Sequence, residues 1–152
     1  MPASKAERFI SALHRLEDAS DLDTIAALYD DRAEVSNTTD AEPHVGRDGA
    51  RTFWNKYRDA FERVHSEFRN ILESESAALL EWRSDGRTAA GQDVSYDGVS
   101  VLEFSGDRIV RFRAYFDPHA LTSGSAKRET ARQLTRTRTG GESDATLPEQ
   151  RA

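Results

Sequence analysis

The sequence contains no cysteine, one methionine and only four prolines in 152 residues. The lack of thiols excludes disulfides, thiolate nucleophiles and cysteine metal ligands. No apolar run approaches the roughly 18 residues that a bilayer-spanning helix needs, and no basic segment followed by an apolar one marks a secretory signal. We therefore expect a cytoplasmic protein that makes no membrane contact.

A surplus of positive charge is also absent, since the formal net charge is -6. Neutralising nucleic-acid phosphates needs clustered Lys and Arg, so nucleic acid is not an expected partner. The charge is not uniform, however, because residues 127–151 contain six basic and four acidic residues. Residues 127–138 have two interpretations, a site for RNA or an acidic partner and a solvated tail, and the lack of aromatic residues there favours the tail.

Helical spacing of apolar residues predicts three helices in the first 64 residues. The three stripes are Phe9, Leu13 and Leu16; Ile25, Leu28 and Tyr29; and Phe53, Tyr57, Ala60 and Val64, with Trp54 and Phe61 beside the last. We expect the second helix to begin at Ser20 and Asp48 to cap the third. Residues 33–37 are predicted to form a strand and residues 38–46 a loop.

After residue 64 the apolar pattern alternates, which is typical of strands. Strands are expected at residues 66–74, 77–83, 92–104 and 108–116, with turns at 84–87 and 105–107. Gly98 interrupts the third run, where a turn or a β-bulge is expected. The order of elements predicts an α+β domain with three N-terminal helices packed on a curved, mostly antiparallel sheet.

Large apolar residues are scarce after residue 121, where only Leu134 and Leu147 occur. Such a segment buries too little surface to offset the entropy lost on ordering. We therefore expect a flexible N-terminus at residues 1–6, one domain at residues 7–121 and a disordered polar tail at residues 122–152.

Three segments of this domain resemble one family. They are residues 21–35 (DLDTIAALYDDRAEV), the pair Gly46-Arg47, and residues 106–117 (GDRIVRFRAYFD). The pattern is similar to that of SnoaL-like proteins, which belong to the nuclear-transport-factor-2-like (NTF2-like) superfamily. The resemblance implies a cone-shaped NTF2-like fold around one pocket. It leaves the activity open, because the superfamily includes isomerases, cyclases, dehydratases, epoxide hydrolases and binding proteins.

Ketosteroid isomerases of this superfamily resemble the chain over residues 33–46. The resemblance places their catalytic Asp at Asn37, their oxyanion-hole Tyr at Leu13 and their oxyanion-hole Asp near Ser100. An amide is not a base at neutral pH and Leu donates no hydrogen bond, so ketosteroid isomerase activity is not expected.

Limonene epoxide hydrolases resemble the chain over residues 112–117. Their Asp-Arg-Asp set falls on Ala114, Trp82 and Ser84, none of which can activate water or protonate an epoxide. Their water-positioning Asn falls near Asn37. The resemblance therefore implies a pocket without an inherited catalytic carboxylate.

Side chains alternate between the two faces of a strand, so these positions imply a pocket map. The candidate ligand-binding residues are Leu13, Val35, Trp54, Tyr57, Trp82, Ser84, Ser100, Leu102, Phe112, Ala114 and Phe116. The outer face is expected to carry Val99, Val101, Glu103, Ile109, Arg111, Arg113 and Tyr115. Monomers rarely expose such an apolar strip, so we expect a homodimer through this outer sheet face.

The candidate catalytic residues are Asn37, His44 and Asp117. Asn37 either orients a carbonyl or water, or satisfies the backbone of a turn. His44 shares a loop with two carboxylates and is a candidate base, unless it is a solvent-exposed loop histidine. Asp117 is a candidate acid or base, or it organises the chain before Pro118. The histidines lack metal-ligand spacing, and no metal or other cofactor is expected.

Two hypotheses about function follow. The first is a SnoaL-like pocket protein, a cyclase, isomerase or hydrolase that acts on an apolar, ring-containing metabolite with a nonstandard residue set. The alternative is a noncatalytic NTF2-like domain that binds a small ligand or a protein.

Overall fold

The computed structural model describes residues 2–122. The tail predicted at residues 122–152 lies outside this part of the chain, apart from Thr122. The elements in order are α1 (Lys5–Ala19), α2 (Leu22–Ala26), β1 (Tyr29–Asn37), β2 (His44–Val45), α3 (Gly46–Asp59), β3 (Phe61–Glu73), β4 (Ala77–Thr88), β5 (Asp93–Ser105), β6 (Arg108–Tyr115) and α4 (His119–Thr122). The predicted α+β class and the three N-terminal helices are confirmed, while β2 and α4 are additional.

The strands form one six-stranded sheet in the order β2-β1-β6-β5-β4-β3. All neighbouring pairs are antiparallel except β1 and β6, which are parallel. Helix α1 packs on β3 and helix α3 packs on β1. The core lies between these helices and the sheet, and it is built largely from aromatic and branched side chains. Within residues 2–122, no helix has the length and apolarity required to cross a bilayer.

The predicted helix starts need correction. Ser20 is the left-handed C-cap of α1 (φ 56°), and Asp21 caps α2 by accepting a hydrogen bond from the Thr24 backbone N–H. Helix α3 begins at Gly46, so Asp48 lies in its first turn, where a negative charge is favourable, and makes no cap.

Helix α3 ends at Asp59, earlier than its apolar stripe predicts. Phe61 and Val64 instead belong to β3, where both are buried. A register irregularity between Phe61 and Arg63 allows two residues an odd number of positions apart to face the core together. Tyr29, which was expected on the second helix, begins β1.

The predicted turn at residues 84–87 is wrong, because β4 continues to Thr88 and Gly86 pairs with strands on both sides. Gly98 also lies within an unbroken β4–β5 ladder, so neither a turn nor a bulge occurs there. Ile109 was expected on the outer face but is buried. The register shifts beside Phe104, which pairs with Ile109 and so reverses the face on which Ile109 lies.

Candidate functional site

A cavity of about 220 Å³ lies between the helices and the sheet. Nine of the eleven candidate ligand-binding residues line it, namely Leu13, Trp54, Tyr57, Trp82, Ser84, Ser100, Phe112, Ala114 and Phe116. Val35 and Leu102 do not. They flank Phe112 in the two neighbouring strands and are fully buried in the core. The alternation of side chains along a strand therefore indicates which residues face inward, but not which of these reach the cavity and which lie in the core.

Two tryptophans form much of the aromatic wall. Trp54 Nε1 donates a hydrogen bond to the Tyr29 hydroxyl at 2.9 Å, and Trp82 Nε1 donates to Ser100 Oγ at 2.9 Å. Trp82 also packs edge-on against Tyr96, a cavity residue outside the set expected from the sequence. Each indole N–H is thus satisfied within the protein, which leaves the rings to contact an apolar ligand.

On the β1 side of the cavity, His44 and Asp40 both line the wall and are half-buried. His44 Nδ1 is 4.0 Å from Asp40 Oδ2, and within the described residues it makes no hydrogen bond although it is buried. Asp40 Oδ2 accepts the Asn37 backbone N–H at 2.9 Å, which holds the carboxylate in place. A histidine beside a fixed carboxylate can accept a proton from a ligand.

Asn37 also lines the cavity. Its Oδ1 accepts hydrogen bonds from the Thr39 backbone N–H at 2.8 Å and from the Thr39 hydroxyl at 2.6 Å. The side chain therefore does stabilise the turn after β1. No described residue accepts a hydrogen bond from its Nδ2, which remains available to donate to a ligand oxygen.

Asp117 does not line the cavity. It is exposed, and its carboxylate accepts hydrogen bonds from the backbone and ring of His119 at the start of α4. This arrangement fits the alternative in which Asp117 organises the chain that leaves β6.

A buried polar cluster, here called the inner network, lies on the β3 side of the cavity and consists of Glu17, Tyr57, Ser66, Ser84 and Tyr96. Glu17 Oε1 accepts the Ser66 backbone N–H at 2.9 Å, and Oε2 accepts the Tyr57 and Ser66 hydroxyls at 2.6 Å each. Ser66 Oγ and Ser84 Oγ are 2.6 Å apart. Ser66, Ser84 and Tyr96 are successive partners across β3, β4 and β5, so the ladder itself aligns them.

Sequence reasoning missed Glu17, although a signal was present. Glu17 follows Phe9 and Leu13 at intervals of four, so it continues the buried stripe of α1. Glu17 is only 3% exposed, and its carboxylate tolerates this burial because it accepts three hydrogen bonds.

Burial is the main cause of the raised pKa of Tyr57 and of Tyr96. It raises the pKa of Tyr57 well above its ordinary value of 10.0, and the nearby Tyr96 and Glu17 raise it further. Burial and the Glu17 carboxylate likewise raise the pKa of Tyr96, against which an interaction with the Ser84 hydroxyl acts weakly. Both hydroxyls therefore keep their protons at neutral pH.

His14, Glu17 and His65 bring possible metal-ligand atoms within 4.8 Å of one another. Both Glu17 oxygens already accept hydrogen bonds, and His14 Nε2 contacts the Ser66 carbonyl at 2.7 Å. The sequence spacing alone gave no hint of this grouping, because His65 comes from β3.

The SnoaL-like domain family matches residues 6–112, which is more than half of the chain. The protein therefore belongs to the SnoaL-like domain family. No curated protein sequence matches the chain.

Solved structures support the same fold. A Rhodopseudomonas palustris protein provisionally described as an isomerase is 16% identical, with a TM-score of 0.72 over 84% of this chain and 99% of that one. An NTF2-like protein from Anabaena variabilis is 14% identical, with a TM-score of 0.69 over 76% and 89%. An LEH-like epoxide hydrolase from M. tuberculosis is 20% identical, with a TM-score of 0.64 over 86% and 96%. These likenesses establish the NTF2-like fold.

Proposed function

We propose that the protein takes a small, apolar, ring-containing compound into the aromatic cavity and transfers a proton on it. The observation that carries the proposal is His44, whose buried Nδ1 has no hydrogen bond within residues 2–122 and lies 4.0 Å from Asp40 in the wall of that cavity. The cavity is smaller than those that hold drug-sized molecules, so it suits one or two rings.

The reaction class is proton abstraction next to a carbonyl group, the first step of many isomerisations and cyclisations. His44 removes the proton from carbon, and the electron pair of that bond moves onto the carbonyl oxygen. Asn37 Nδ2 donates a hydrogen bond to that oxygen. His44 then returns the proton to carbon, so the protein is unchanged after the cycle.

The binding step is tested by fluorescence titration with 2-indanone. Both tryptophans of the chain line the cavity, so a bound ring changes their emission. Ala114→Phe fills the cavity from β6 and should abolish the change. Ala90→Phe adds the same group at an exposed turn position and should retain it.

The proton transfer is tested by hydrogen–deuterium exchange of 2-indanone in D₂O, followed by NMR. We expect His44→Gln to slow the exchange by about 100-fold or more, as for loss of a general base. His119→Gln changes an exposed histidine outside the cavity and should have no effect.

A noncatalytic function is the second candidate, and one observation favours it. Leu13 and Ser100 line the cavity at positions where ketosteroid isomerases, by resemblance, carry oxyanion-hole groups. Under this alternative the wild type binds 2-indanone but exchanges its hydrogens no faster than buffer. The two assays together therefore separate binding from catalysis.

A further inference from the structure

Glu17 determines the direction of the hydroxyl protons in the inner network. A carboxylate only accepts hydrogen bonds, whereas a serine or tyrosine hydroxyl has a single proton to donate. Glu17 Oε2 is 2.6 Å from both the Tyr57 and the Ser66 hydroxyl oxygens. Tyr57 and Ser66 therefore each donate their single hydroxyl proton to Glu17.

The same assignment of donors and acceptors can be made for the hydroxyl on the next strand, β4. Ser84 Oγ is 2.6 Å from Ser66 Oγ, and Ser66 has no second proton, so Ser84 must be the donor of this bond. Tyr96 is the cross-strand partner of Ser84. With its own proton donated to Ser66, the Ser84 oxygen can then only accept a hydrogen bond.

As a result, the hydroxyl groups on this wall of the cavity can only accept hydrogen bonds from a ligand. Tyr57, Ser66 and Ser84 all line the cavity, and their protons point away from it towards Glu17. These three hydroxyls therefore offer a ligand only oxygen lone pairs. This side of the cavity is therefore complementary to a hydrogen-bond donor, whereas a carbonyl oxygen would meet lone pairs.

The charge of Glu17 favours a cationic donor. Within the described residues no Lys, Arg or His is close enough to Glu17 to form an ion pair, although ring nitrogens of His14 and His65 lie within 4.8 Å of it and Arg58 and Arg63 line a surface pocket beside it. The charged cavity residues Asp40 and Lys56 are opposite in sign, so together they add no net charge to the cavity. Three hydrogen bonds stabilise the Glu17 carboxylate without neutralising it, so a ligand cation nearby is attracted to its charge.

The aromatic wall supplies a second attraction for a cation. Tyr57 and Phe61 pack against each other, as do Trp82 and Tyr96, and all four line the cavity. Aromatic faces attract ammonium groups through the ring quadrupole, most strongly where water is excluded.

Resting on the proposed function, we infer that the ligand is a ring compound that bears a protonated amine, bound with its ammonium group against the inner network. This inference specifies the ligand class of the cavity. The amine occupies the β3 side, and the ring carbon that reacts is directed towards His44 on the β1 side.

The test compares benzylammonium with benzyl alcohol, which has the same shape and no charge, by tryptophan fluorescence titration of the full-length protein. We expect benzylammonium to bind at least about ten-fold more tightly, as for a desolvated cation over aromatic rings. Equal affinities, or tighter binding of the alcohol, would overturn the inference while leaving the proposed function intact. Binding of neither compound, nor of 2-indanone, would instead defeat the proposed function.

A matched pair of variants tests the role of Glu17. Glu17→Gln removes the charge and introduces an N–H donor. The new amide would donate to Ser66 Oγ and Ser66 would donate to Ser84, so the direction of both hydrogen bonds would reverse. Benzylammonium affinity should fall by about ten-fold or more, and benzyl alcohol should become the tighter ligand. Asp18→Asn removes a neighbouring exposed charge on the same helix and should preserve the wild-type preference. An unchanged preference in a folded Glu17→Gln would refute the assignment; the wild-type comparison decides if that variant does not fold.

Discussion

Trp82 occupies the space that a side chain at Gly98 would need. A Cβ added to Gly98 would lie 2.3 Å from Trp82 Cζ2 and 2.7 Å from the Tyr115 carbonyl oxygen. The two residues are direct partners across β4 and β5. Glycine at this position therefore allows the indole to form part of the cavity wall.

Gly98→Ala should displace Trp82 and destabilise the protein by about 1–3 kcal/mol, as for overpacking of a core. Urea unfolding followed by circular dichroism gives the change in stability, and tryptophan emission reports the indole. Asp97→Ala is the control, because the loss of this exposed neighbour and its ion pair with Arg83 should change stability by less than about 1 kcal/mol. Equal stability of the two variants would contradict the packing described here.

Tyr29 has no exposed surface, and its hydroxyl accepts the Trp54 indole N–H. Tyr29→Phe should cost about 1–3 kcal/mol, because it leaves a buried donor unpaired. Ser105→Ala is the control, because it also removes a hydroxyl, but from an exposed side chain that water solvates. Comparable losses in the two variants, measured by urea unfolding, would show that the buried bond is not the cause.

Asp21 predicts how stability changes in acid. The Thr24 hydroxyl, the Thr24 backbone N–H and Arg15 lower the pKa of Asp21 from 3.8 to about 2. A pKa depressed in the folded state contributes stability above the unfolded value, and this contribution disappears as the pH falls towards the folded value. The difference in Tm between wild type and Asp21→Ala should therefore be constant above about pH 5 and shrink between about pH 4 and pH 2. A pH-independent difference would rule this linkage out.

The outer sheet face predicts a homodimer. Leu79 pairs with Val101, and Val99 pairs with Tyr115, so apolar residues adjoin across β4, β5 and β6. Leu79 and Tyr115 are each more than two-fifths exposed. Light scattering at micromolar concentration should give a dimer mass, and Val101→Glu should give a monomer, because it places a charge within the strip. A wild-type monomer would contradict the proposal.

Local patterns predicted the fold because helical and alternating apolar spacing is marked in this chain. Two of the errors concern single residues that the local pattern places on the wrong element or face. Val64 continues the stripe of α3 but lies on β3, and Ile109 reverses its face at an irregularity that no local residue signals. The β1 side of the site was partly predictable, since His44 follows Asp40 within one loop. The inner network was not, because Glu17, Ser66 and Ser84 meet only once three separate elements have packed.

The central claim is that a ring compound enters the aromatic cavity, and NMR of the two indole N–H groups tests it most directly. The chain has only two tryptophans, so a ¹H–¹⁵N spectrum contains two indole signals, from Trp54 bonded to Tyr29 and Trp82 bonded to Ser100. We expect both signals of the wild type to shift on titration with 2-indanone and to report the same Kd. In Ala114→Phe neither should shift. Signals that stay fixed in the wild type at saturating 2-indanone, or that shift equally in Ala114→Phe, would contradict the account.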